Sequence, residues 1–289
     1  MFDQAENLRS KLKNTKHKSP HAKTLAIMSG KGGVGKSNIS LSLALSLCNK
    51  GYKVLLFDMD IGMGNLDILM GNSSEYSIAD VFDGRAELDE VIMNGPNGLQ
   101  YIAGGTGLNQ LFTLDQTRLS PFFFQLDHLL TNYDFILFDM GAGITIDFAK
   151  IILSVEEILI VTTPEPTSIT DAYAAMKYIH LMDTQIPFHI LVNRIHNDKE
   201  GLETHRRIAL VMNQFLNREV NYFGGMREDR SVQQAVRRQI PFILYNHKSL
   251  AATNMKKMVD KYCEDNRNQA SEGNMHIFLS KLKRLLFEG

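Results

Sequence analysis

The stretch Gly30-Lys31-Gly32-Gly33-Val34-Gly35-Lys36-Ser37 constrains this chain more than any other. It follows a short apolar run, Leu25-Ala26-Ile27-Met28. It precedes residues 37–49, whose apolar positions recur at helical spacing and which Gly51 closes. The order Gly, four residues, Gly, Lys, Ser is the pattern of a loop built around phosphate. Glycines let backbone N–H groups turn inward on an anion without a Cβ clash. Lys36 would place a point charge on the β- and γ-phosphates. Ser37 would offer its hydroxyl to Mg²⁺, and the helix that follows aims its N-terminal dipole at the same anion.

The rest of the chain supplies the frame such a loop needs. Apolar runs read as buried parallel strands at residues 25–28, 54–57, 99–102, 135–138, 158–161 and 188–192. Helical spacing lies between them, over residues 37–49, about 114–130, 168–182 and 202–216. Strands that alternate with helices predict an α/β fold, a mostly parallel sheet with helices on both faces. The chain of 289 residues is 44 % hydrophobic, enough for a large core, and its net charge is −1. Such a balance excludes a general polyanion binder, so nucleic acid is not an expected partner. Cys48 and Cys263 stand far apart and outside any Cys-x-x-Cys pair, which excludes a disulfide scaffold or a single-chain cluster and predicts reduced thiols. No apolar run approaches the roughly 20 residues of a membrane span.

A second lysine, Lys31, follows the first glycine of the loop, where ordinary phosphate binding does not need one. With it the sequence resembles the deviant Walker A ATPases of the MinD and ParA family, a P-loop NTPase fold of three layers. The resemblance spans about residues 24–262 and implies ATP, ADP and Mg²⁺ as ligands. It implies an ATP-dependent homodimer in which Lys31 reaches the partner subunit's nucleotide, a charge supplied in trans. Phe57-Asp58-Met59-Asp60 resembles the family's first switch. There Asp60 would orient or activate the attacking water, and Asp58 would support Lys36, Mg²⁺ or its waters. Phe135-Ile136-Leu137-Phe138-Asp139 resembles a Walker B strand whose Asp139 holds Mg²⁺, with Gly141-Ala142-Gly143 as the second switch. Glycine stands at 141 where the family usually has proline, which implies a looser loop and slow intrinsic hydrolysis. Asn193 and Arg194 fall where the family reads adenine. Met226, Arg227 and Glu228 fall in its base-lining segment, with Arg227 in place of the usual proline.

The two ends separate members of that family. Residues 1–23 combine a short amphipathic segment with a basic linker and suggest either a docking peptide or a frayed terminus. Asp3-Gln4-Ala5-Glu6-Asn7-Leu8-Arg9 resembles the segment with which the FlhG (YlxH, FleN) regulators of flagellar number activate the GTPase FlhF. The implied contacts are Asp3, Gln4, Ala5, Leu8 and Arg9, and flagellar switch-complex proteins are implied as further partners. After an ATPase domain over residues 24–263, residues 264–289 read as a polar linker and an amphipathic helix. Phe278, Leu279, Leu282, Leu285, Leu286 and Phe287 supply apolar side chains, and Lys281, Lys283 and Arg284 supply charge. This resembles the MinD membrane-targeting helix, which implies peripheral attachment of a cytoplasmic protein to an anionic membrane face. The helix could equally pack on its own core, or do both in turn. Two other readings of the core are a ParA-type DNA-segregating ATPase and a binding module that keeps the fold but scarcely hydrolyses.

Overall fold

The computed structural model describes residues 22–61, 64–105, 121–122, 124–126, 129, 131–141, 146–183, 185–268 and 281. The expected apolar runs become β1 (Lys23–Met28), β2 (Val54–Met59), β4 (Gln100–Ile102), β5 (Phe135–Met140), β6 (Glu157–Thr162) and β7 (Phe188–Ile195). Two further strands are β3 (Met93–Asn94) and β8 (Val220–Arg227). They form one sheet in the order β3-β4-β2-β5-β1-β6-β7-β8. Every pairing is parallel except β3 with β4. The central strands β2, β5 and β6 are buried along their whole length, which is why their sequences run apolar without alternation.

Helices cover both faces. They are α1 (Lys36–Asn49), α2 (Leu66–Met70), α3 (Ile78–Phe82), α4 (Ile146–Ser154), α5 (Pro166–Met182), α6 (Asp198–Leu216), α7 (Arg230–Arg237), α8 (Phe242–Tyr245) and α9 (Leu250–Asn268). One core lies beneath α5 and α6 and includes Phe57, Phe138, Ile160, Met176, Ile190 and Met212. The other lies beneath α1 and α9 and includes Ile27, Leu43, Leu137, Leu191, Met255 and Tyr262. Within the first core Phe57 and Phe138 stack from neighbouring strands with centroids 5.1 Å apart. These layers hold the C-terminal ends of β1, β2, β5 and β7 together, the edge at which open α/β sheets bind ligands.

One expectation changes, and one strand lacks the apolar run that would announce it. The polar linker expected from residue 264 begins inside α9, which runs on to Asn268. The reason is an anchor at the far end of the sheet. Glu157 at the start of β6 takes an ion pair from Lys23 at 2.6 Å and a hydrogen bond from the Tyr262 hydroxyl at 2.8 Å, and Lys23 also bonds Asn266. Strand β8, with Gly224-Gly225 at its centre, lacks the apolar run of its neighbours. A Cβ on Gly224 would stand 2.3 Å from the sulfur of Met258, so the glycine is what lets α9 close over this strand. The N-terminal residues Asp3, Gln4, Ala5, Leu8 and Arg9 lie outside the described residues. So do Phe278, Leu279, Leu282, Lys283, Arg284, Leu285, Leu286 and Phe287.

Candidate active site

The loop between β1 and α1 forms where its residues leave no alternative. A Cβ on Gly30 would stand 2.2 Å from the backbone carbonyl of Asp171 in α5, so only glycine fits that crossing. Gly35 has φ +91°, in the left-handed region, and a Cβ there would meet the Asn193 amide nitrogen at 2.5 Å. The loop delivers Lys36 as the first residue of α1 and Ser37 as the second. Lys36 is buried, and its Nζ donates to Asp139 Oδ1 at 2.5 Å and to the Ser37 hydroxyl at 3.3 Å. Ser40, one turn further on, donates to the same Asp139 oxygen at 2.8 Å.

Asp139 sits near the end of β5 and is wholly buried. Its Oδ1 serves Lys36 and Ser40, whereas its Oδ2 is buried with no hydrogen-bond partner. A buried carboxylate oxygen without a partner is costly unless something of positive charge completes it. With the Ser37 hydroxyl close by on the Lys36 ammonium, the donor set is the hard oxygen chemistry that Mg²⁺ accepts. Asp60 belongs to the same group. It is half-buried, and its acidity is weakened by burial, partly restored by the charge of Lys36 and weakened again by Asp139. A Cβ on Gly141 would come within 3.3 Å of the Asp60 carboxylate, so Gly141 borders Asp60. Residues 142 and 143 lie outside the described residues.

Asp58 holds the segment that follows β2. Its Oδ1 accepts the N–H of Asp60 at 3.1 Å, and its Oδ2 accepts those of Asn65 and Leu66 at 2.8 and 3.1 Å. Both oxygens therefore accept from the loop after β2, and Asp58 shapes that loop. Burial, reinforced by the charge of Asp139, raises its pKa to about 6 against the pull of these N–H groups.

The expected base-reading residues divide. Asn193 donates its amide to the carbonyl of Val34 at 2.7 Å, and Arg194 donates to that of Gly33 at 2.8 Å. Met226 is buried in the core with Val34, Leu191 and Phe223, so it supports the site from behind and does not line a base. Arg227 turns to Asp198 at the start of α6, at 3.1 Å, and Glu228 is exposed with its N–H on the Ile195 carbonyl. Lys31 lies on the surface, within 3.3 Å of the Thr167 hydroxyl and 3.6 Å of the Glu165 carboxylate at the start of α5. Ser40 was absent from the residues expected here. A serine inside an apolar helix gives no signal of its own, and only the sheet brings it to Asp139.

A family model described as an AAA domain matches residues 22–191. Over 258 residues the chain is 31 % identical to the antiactivator FleN of Pseudomonas aeruginosa, covering 89 % of this chain and 92 % of that relative. Over 218 residues it is 38 % identical to the flagellum site-determining protein YlxH of Helicobacter pylori, covering 75 % of this chain and 74 % of that relative. Among solved structures it matches the septum site-determining protein MinD from Pyrococcus horikoshii OT3, complexed with Mg-ADP. The TM-score is 0.71 over 86 % of this chain and 99 % of that one, and at 24 % identity the likeness shows a shared fold.

Proposed function

Because this chain belongs to the MinD/ParA family of AAA-domain ATPases, as a relative of FleN and YlxH, we propose that it is an ATP-switched regulator of flagellar number or placement. The observation that carries the ATPase part is the Asp139 carboxylate, with one oxygen held by Lys36 and Ser40 and the other left open in a buried site. Ser37 and Asp139 would hold Mg²⁺, which supplies charge to the phosphate oxygens when bound. Gly30 to Ser37 binds the phosphates, Lys36 neutralises the developing charge, and Asp60 orients the attacking water or accepts its proton.

The switch is dimerisation. Lys31 carries its charge at the surface on two weak, exposed partners, which a second subunit's phosphates can outcompete. The ATP dimer presents paired C-terminal segments to an anionic membrane, and the doubled anchor makes attachment ATP-dependent. Its N-terminal segment stimulates an FlhF-type GTPase through Gln4, and flagellar switch-complex proteins are its further partners. No described helix is long and apolar enough to cross a membrane.

Size exclusion with light scattering tests this reading. The variant Asp60→Ala should bind ATP and Mg²⁺, fail to turn it over, and elute as a dimer. An Asp60→Ala protein that binds ATP yet stays monomeric would remove dimerisation from the scheme.

A further inference from the structure

Consecutive side chains of a β-strand point to opposite faces of the sheet. Asn193 and Arg194 are consecutive in β7, yet both reach the same loop. The sheet shows how. Val192 pairs with Gly225 and Ile195 with Arg227, so β7 advances three residues where β8 advances two. The extra residue is a bulge, and Arg194 within it has φ +57°, a left-handed conformation that costs a non-glycine residue energy. That distortion turns the guanidinium back beside the Asn193 amide. Asn193 is held at both ends, since its carbonyl oxygen accepts the N–H of Arg194 at 2.9 Å while its NH₂ donates to Val34.

The consequence lies in the peptide planes. A trans peptide holds its C=O and N–H antiparallel. Drawing the carbonyls of Gly33 and Val34 toward the β7 bulge turns the N–H groups of Val34 and Gly35 the other way, into the hollow of the loop. We infer that Arg194, seconded by Asn193, is a positioning residue for phosphate: the β7 bulge sets the phosphate loop in its binding shape before nucleotide arrives. Arg194 acts through the Gly33 carbonyl and not on the base. This rests on Gly30 to Ser37 being the phosphate loop.

Calorimetric titration of the full chain with Mg-ADP, and separately with Mg-tripolyphosphate, which has no base, tests it. Arg194→Ala and Arg194→Gly should weaken both ligands by the same factor, roughly tenfold, the size of one charge-assisted hydrogen bond. Arg194→Lys, which keeps a charged donor, should recover most of that affinity. In turnover assays Arg194→Gly should raise the KM for ATP by that same factor. Arg194→Gly removes the guanidinium while relieving the left-handed backbone, so normal binding by this variant would overturn the proposal. A loss confined to Mg-ADP would also overturn it, because it would place Arg194 on the base. If the wild-type chain bound neither ligand, the phosphate-loop reading itself would fall, and the proposal with it.

Discussion

Lys36 Nζ lies 2.5 Å from Asp139 Oδ1, and both side chains are buried, 7 % and 1 % exposed. The pair joins the first residue of α1, which follows β1, to the end of the neighbouring strand β5. Each charge is out of water and depends on the other.

Removing one partner should therefore harm more than removing both. Lys36→Met or Asp139→Leu alone leaves a buried charge unpaired and should destabilise the nucleotide-free chain by about 3 to 5 kcal/mol. The double replacement should recover much of that loss, although nucleotide binding is gone. Urea midpoints of the three variants decide it. A double variant whose loss equals the sum of the single losses would show that the two charges do not depend on each other.

Asp58 gives the nucleotide-free chain a pH dependence of definite sign. Its folded pKa, about 6, lies above its ordinary value of 3.8, so the folded state holds the proton more tightly. That contribution is fully present below about pH 4 and is lost as pH rises through about 6, on the order of 2 to 3 kcal/mol. Asp58→Asn should lack this slope, and the difference between the two stability profiles isolates it. Parallel profiles for wild type and Asp58→Asn would refute the assignment.

Glu157 should matter for the C-terminal end of α9 and not for catalysis. It takes Lys23, Tyr262 and, at 3.5 Å, the His189 ring, whose pKa burial lowers. Glu157→Gln should lower stability by about 2 kcal/mol, since the pair is mostly buried. Amide exchange should speed up in the last turn of α9 and stay unchanged in α1. Uniform loss of protection would mean that the cluster holds the whole sheet.

Lys281 is the one described residue beyond Asn268, and it lies 3.7 Å from Asp183 just after α5. Exposed apolar residues flank the contact, with Leu181 at 71 % and Met182 at 47 %. If this ion pair holds the tail on the body, Asp183→Lys should repel it. Sedimentation with anionic vesicles should then rise severalfold without ATP. Unchanged sedimentation would assign the pair no part in membrane access.

The proposed GTPase link has its own assay. A peptide of residues 1–23 should raise GTP hydrolysis by an FlhF-type GTPase, and Gln4→Ala should abolish the increase. An inactive peptide beside an active positive control would leave an ATPase without that partner.

The parts of this protein legible in its sequence are those whose physics is local. The spacing of Gly30, Gly35, Lys36 and Ser37 encodes a loop by backbone freedom alone. The apolar runs ending at Asp58 and Asp139 mark strands buried on both faces and place carboxylates at the edge where ligands bind. What only the tertiary structure decided depends on residues far apart in sequence. Ser40 becomes a partner of Asp139 because two adjacent parallel strands, β1 and β5, bring α1 to that carboxylate. Asp58 comes to hold its own loop because Asn65 and Leu66 fold back on it. Strand β8 forms despite Gly224-Gly225 because Met258 needs that space, and α9 runs past residue 264 because Glu157, Lys23 and Tyr262 anchor it. The turn of Arg194 toward the phosphate loop needs a bulge that only the register of β7 against β8 creates. Spacing along a chain reports a residue's own conformation, whereas these partners are chosen by packing between elements that no local pattern records.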